Sequence, residues 1–214
     1  AYARSKVAME KELQVLADPG FTVTSLRFST ACGMSPRLRL DLVVNDFVAS
    51  AVATGKITVL SDGTPWRPLV HVKDMSRAIV WGIGRPQENG GAFLAVNVGR
   101  DDWNYQVKEL ASSVARLVPE TEVSINVEAQ PDRRSYRVDF SLFKALAPDH
   151  QPLMSLDETI QELKEGLQAM NFADANFRES HYMRLKMLES HVRSGALTSD
   201  LEWTNASTRK AKSA

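Results

Sequence analysis

The sequence is poor in cysteine: Cys32 stands alone among 214 residues. An intrachain disulfide is excluded, and a reducing compartment, the cytoplasm, is expected. The four histidines, at 71, 150, 181 and 191, are scattered without metal-ligand spacing, so no metal site is expected. No apolar run approaches the roughly 20 residues that span a bilayer, and no membrane partner is expected. Neither sign of charge is in excess, with Lys plus Arg and Asp plus Glu at 26 each. A balanced chain has no global field to draw it to nucleic acid, so no nucleic-acid partner is expected. No basic stretch followed by an apolar one heads the chain, which opens without Met.

A Gly-rich turn between strand and helix, able to cradle a dinucleotide pyrophosphate, is also lacking. Gly82-Ile83-Gly84 begins such a motif. Gln87 stands where its third glycine belongs, and Arg85-Pro86 would break the helix it needs. That stretch reads as a turn.

What is present is ordinary globular sequence, 43% hydrophobic and 24% charged, long enough for one or two domains with a real core. Strong helix formers run from 2 to 17 and stop at Asp18-Pro19-Gly20. FTVTSLRFS, at 21–29, alternates and reads as a strand, with a loop from Thr30 to Arg39. Apolar residues at 43, 44, 47, 48, 51 and 52 form a helical stripe closed by Gly55. Strands follow at 57–60 and 69–72, then a helix from about Asp74, a plausible N-cap. Another strand at 95–98, a helix at 105–118 and a strand at 123–127 continue the alternation. After a short helix near Ser141, Ser155-Leu156-Asp157-Glu158 has the form of a capping box and opens a helix to about Met170. Residues 175–194 read as helical with a thin apolar face. The polar residues 204–214 read as a disordered tail. Strands alternating with helices make the class α/β.

Tyr2 and Lys6 are four residues apart at the head of the first helix, so they share a face. A Tyr hydroxyl ordinarily titrates near 10, and a nearby ammonium favours the phenolate. A Tyr tuned in this way exchanges a proton with an alcohol while a hydride leaves or reaches the same carbon. The same spacing also describes an exposed Tyr and a solvated Lys on a surface helix.

Three stretches in order separate these readings: Y-x-x-x-K at 2–6, L-R-x-x-x-x-x-G at 26–33 and W-R-P-L-V-H-V-x-D at 66–74. From residue 1 to about 170 the chain resembles the extended short-chain dehydrogenase/reductase family, the NAD-dependent epimerases and dehydratases of nucleotide sugars. The resemblance implies the C-terminal part of a Rossmann-like, doubly wound sheet with a smaller α/β substrate-binding lobe, the N-terminal Gly-rich half being absent. It implies a partial Rossmann-like core with interwoven lobe over 1–170, a helical extension over 171–203 and the tail after it.

The resemblance further implies that Tyr2 is the catalytic acid/base. Lys6 would hold the nicotinamide ribose of NAD or NADP and depress the Tyr pKa. Ser29, Thr30, Ala31 and Cys32 would pass beside the nicotinamide, although many members have Asn where this chain has Thr30. Arg67 would bind the substrate pyrophosphate, with Pro68 replacing the usual Asp. Arg133 or Arg134, in PDRRSYRVDFS, would join it, as would Arg37 and Arg39 in SPRLRLD. Forked guanidiniums converging on one cleft suit a nucleotide diphosphate. His71, between two valines on a strand, reads as a packed structural histidine, and Cys32 as a small loop hydrophobe.

A homodimer through the Tyr-bearing helix is also implied. With the phosphate loop and the Tyr's Ser/Thr partner not in the sequence, the chain is expected to be a fragment beginning at the catalytic Tyr and inactive alone. The expected function is therefore that of a fragment of an NAD(P)-dependent epimerase/dehydratase acting on a nucleotide-activated sugar. A reductase or decarboxylase of the same family, or a truncated non-catalytic binding protein, stands as the alternative.

Overall fold

The computed structural model describes residues 2–129 and 135–204. In chain order the elements are α1 (Tyr2–Leu16), β1 (Val23–Phe28), β2 (Thr30–Cys32), α2 (Val43–Thr54), β3 (Lys56–Val59), β4 (Trp66–His71), α3 (Val72–Gly84), β5 (Phe93–Val98), β6 (Asn104–Gln106), α4 (Val107–Leu117), β7 (Glu122–Ile125), α5 (Ser141–Leu146), α6 (Leu156–Ala169) and α7 (Arg184–Arg193). The alternation makes an α/β fold, and its long-range strand pairs are mostly parallel. β1 lies parallel to β5, β2 to β4, and β3 to β7, while β6 runs antiparallel to β4.

Two cores follow from the side-chain patterns. Along β5, Leu94, Val96 and Val98 alternate inward, as the two-residue strand period requires. They pack with Ala78 and Trp81 of α3 and Phe143 of α5. Trp81 and Phe143 meet edge to face at 5.4 Å. The larger core gathers Phe47 and Val48 of α2, Leu110 and Val114 of α4, and Ile160, Leu163 and Leu167 of α6. α2 is buried on several sides because Ala49, Ser50 and Ala51 are small. It ends at Gly55, whose φ of 66° and N–H bond to Ala51 O form a left-handed cap. α6 opens with the expected box: Ser155 Oγ accepts from Glu158 N at 3.2 Å, and Glu158 Oε2 accepts from Ser155 N at 2.8 Å.

Several local expectations are corrected. Residues 30–32, expected in a loop, form β2, because β4 offers them parallel pairing from Leu69 to His71. β4 starts at Trp66 and carries Pro68 within it. The N-cap of α3 is His71, not Asp74. Asp74 instead accepts hydrogen bonds from the Leu153 and Met154 amides, at 2.9 and 3.2 Å, and ties α3 to the approach to α6. Within 175–194 only α7 and a 3-10 turn at Phe177–Glu179 are helical. Gly82 and Gly84, expected to form a turn, lie inside α3, which runs on to Gly84. Of the tail expected at 204–214, Thr204 donates from its hydroxyl to Gly195 O at 3.0 Å, and residues 205–214 lie outside the described residues. Among the described residues, no helix is long and apolar enough to cross a membrane.

Candidate active site

Tyr2 and Lys6 sit one turn apart on α1. The Lys6 ammonium lies 5.5 Å from the centroid of the Tyr2 ring. Tyr2 is 77% exposed, and α1 buries none of its residues. Polar contacts fasten the helix to β1. Glu10 Oε1 accepts from Arg27 Nε at 2.8 Å and from Ser25 Oγ at 3.1 Å, and Glu10 Oε2 accepts from Arg27 Nη2 at 2.5 Å. The hydrogen bond from Arg27 is the main cause holding the Glu10 carboxyl below its usual range.

Beyond β1 a cleft of about 610 Å³ opens. Thr30 of β2, Asp46 and Phe47 of α2, Arg67 of β4 and Arg178 of the 3-10 turn line it, with the stretch from Thr58 to Ser61 along one wall. Thr30, expected beside the nicotinamide, and Arg67, expected on the substrate pyrophosphate, thus share one cavity. The Arg67 guanidinium donates to Trp66 O at 2.8 Å.

The loop at 33–39 is held against α2 by a buried asparagine. Asn45 Oδ1 accepts from Gly33 N at 3.1 Å, and Asn45 Nδ2 donates to Arg39 O at 2.9 Å. This directs Arg39 onto Asp41, a cleft residue, at 3.0 and 2.5 Å. The hydrogen bond from Arg39 is the main cause holding the Asp41 carboxyl below its ordinary range. The Arg39 guanidinium is raised chiefly by Asp41, with Tyr2 adding a smaller electrostatic pull. Arg37 is exposed and is not among the residues lining the cleft.

Arg133 and Arg134 lie outside the described residues. The segment that follows them returns to β4 beside Arg67. Trp66 N donates to Ser135 Oγ at 3.0 Å, and the Arg137 guanidinium sits 4.7 Å from the Trp66 ring.

Cys32, expected beside the nicotinamide, and His71, expected to be a packed structural histidine, are both in the core. Cys32 is 1% exposed; its thiol contacts Val70 O at 3.5 Å and is pushed up to about 12, chiefly by burial. His71 is fully buried. Its Nδ1 accepts from Lys73 N at 3.1 Å, and its Nε2 lies 3.3 Å from Glu162 Oε2. The single ring proton thus belongs on Nε2. A second proton, on Nδ1, would face the Lys73 N–H. Burial is the leading cause pushing the His71 pKa down, and Glu162 opposes it. Gly33 packs closely against the Nε2 side of this ring. A Cβ there would fall 2.1 Å from His71 Nε2, and the backbone φ is +101°.

Arg178 was not among the site residues expected from sequence. Its Nε and Nη2 grip Asp46 at 2.8 and 2.7 Å, and Nη2 also reaches Ser50 Oγ at 2.8 Å. No motif announces it, because its partners are 132 and 128 residues away in sequence.

Residues 1–99 match the NAD dependent epimerase/dehydratase family. The match covers a little under half of the chain, which is similar to that family over this stretch. UDP-glucuronic acid decarboxylase 6 of Arabidopsis thaliana is 29% identical over 133 residues, which cover 61% of this chain and 37% of the plant protein. The solved UDP-glucose 4-epimerase of Brucella ovis, in complex with NAD, is 25% identical with a TM-score of 0.60, over 77% of this chain and 55% of that one. The UDP-glucose 4-epimerase of Bifidobacterium longum, in complex with NAD+ and UDP, superposes with a TM-score of 0.64 at 18% identity, over 81% of this chain and 56% of that one. At that identity the second likeness is one of fold. The α/β architecture is that of these Rossmann-like epimerases, and the match spans about half the length of the solved chains.

Proposed function

We propose that this chain provides the acid/base pair and the substrate-binding lobe of an NAD(P)-dependent enzyme that acts on a nucleotide-activated sugar. The observation that carries the reading is the shared cleft. Thr30, from the stretch expected beside the nicotinamide, and Arg67, expected on the diphosphate, line the same cavity.

The residues present fit the nicotinamide end of the cofactor. Tyr2 and Lys6 offer an exposed hydroxyl and an ammonium from one helix face; they are not among the residues lining the cleft, whose wall includes Thr30. NAD or NADP supplies hydride acceptance and return when bound. Tyr2 takes the proton of a sugar hydroxyl and gives it back. Lys6, one turn from Tyr2 on the same face, would donate to the ribose hydroxyls of the cofactor. Arg67 forks onto phosphate oxygens and fixes the sugar's position relative to Tyr2.

The test is Tyr2→Phe in the full-length protein, assayed with UDP-glucose and UDP-glucuronic acid in the presence of NAD+. Turnover falls by about 10²–10⁴-fold, while the Kd for the nucleotide sugar stays within a few-fold. Product analysis of the wild type separates epimerisation, dehydration and decarboxylation. Wild-type protein without turnover favours a binding protein and overturns the enzyme reading.

A further inference from the structure

The cleft carries two carboxylates, Asp41 and Asp46, a poor lining for a diphosphate. Each is gripped by an arginine through two hydrogen bonds. Asp41 has Arg39, its neighbour in the same loop. Asp46 has Arg178, which comes from the segment after α6. That segment is built into the fold. Phe177 is fully buried in the larger core and packs against Phe172, with ring centroids 5.9 Å apart. The Arg178 guanidinium lies 4.7 Å from the Phe177 ring, so the buried aromatic holds its neighbour at the cleft wall.

We propose that Arg178 is the counter-charge that lets the cleft accept a nucleoside diphosphate: by neutralising Asp46 it removes a repulsion the ligand would otherwise meet. This rests on the nucleotide-sugar reading and gives residues after α6 a part in ligand affinity. Arg178 acts through Asp46, as a positioning and charge-balancing residue. Like charges facing one another across a solvent-filled cleft repel over several ångströms. An unpaired Asp46 would therefore weaken a dianionic ligand and leave a neutral one alone.

The experiment is calorimetry on the full-length protein with UDP and with uridine as probes. Arg178→Ala is expected to weaken UDP about tenfold and leave uridine within twofold. The double variant Arg178→Ala/Asp46→Asn is expected to restore UDP binding to within about threefold of wild type, because the charge to be neutralised is gone. Arg178→Lys is expected to keep most of the affinity. Unchanged UDP binding in Arg178→Ala, or a loss that Asp46→Asn does not rescue, overturns the proposal while the nucleotide-sugar reading stands. Wild-type protein that binds no UDP overturns both. Should Arg178→Ala fail to fold, Asp46→Asn alone decides. UDP binding at least as tight as wild type supports the charge-balancing role, and weaker binding overturns it.

Discussion

α1 and α6 are helices of similar length, 15 and 14 residues, and they are held in opposite ways. α6 drives Leu156, Ile160, Leu163 and Leu167 into the core. α1 buries nothing and hangs on Glu10, Arg27 and Ser25. Tyr2 and Lys6, proposed as the acid/base pair, are on the helix without a buried face. The cleft lies against the firmly packed part.

The contrast is broken most forcefully in the core. Leu163→Ala, at a fully buried position, is expected to cost about 2–5 kcal/mol. Val15→Ala on α1, at 83% exposure, is expected to change stability by less than about 0.5 kcal/mol. Urea denaturation compares them, and equal losses would mean that α1 is packed after all.

A smaller effect comes from His71 at the joint between β4 and α3. Its pKa is lower folded than unfolded, so the unfolded chain takes up a proton first as pH falls. The contribution of neutral His71 is whole above its unfolded value of about 6.5 and declines as pH drops below it, by at most about 1.4 kcal/mol per pH unit. His71→Asn keeps an acceptor for the Lys73 N–H and abolishes the titration. Its denaturation midpoint should fall less than that of wild type between pH 7.5 and 5.5. Parallel slopes would place the acid sensitivity elsewhere.

The smallest global effect is expected for Glu10→Ala. Exposed ion pairs contribute about 0.2–1 kcal/mol, so the midpoint barely moves. Amide exchange along α1 should nevertheless rise while that of α6 stays as it was. Unaltered exchange in α1 would show that Glu10 does not fasten it.

What could be read from the sequence was local. The Ser155 box and the Gly55 cap are settled by residues within four positions of each other, and both form as expected. Asp74 looked like a cap for the same local reason. His71 takes that place because its ring is pinned under Gly33, and Asp74 is drawn off by the amides of Leu153 and Met154. β2 was hidden because three residues become a strand only when β4 lies beside them. Among the arginines, Arg67 could be placed from its motif. Arg37 and Arg39 could not be told apart until Asn45 was seen holding the carbonyl of Arg39. Arg178 carried no signal because the carboxylate that explains it lies on a distant helix.

That last separation has a consequence for synthesis. Ribosomes add about 5–20 residues per second, so on the order of ten seconds pass between the making of Asp46 and the arrival of Arg178, 132 residues later. Until then the nascent cleft holds a carboxylate without its partner. On the role proposed for Arg178, anion binding in this cleft waits for a residue made 132 positions after the carboxylate it neutralises.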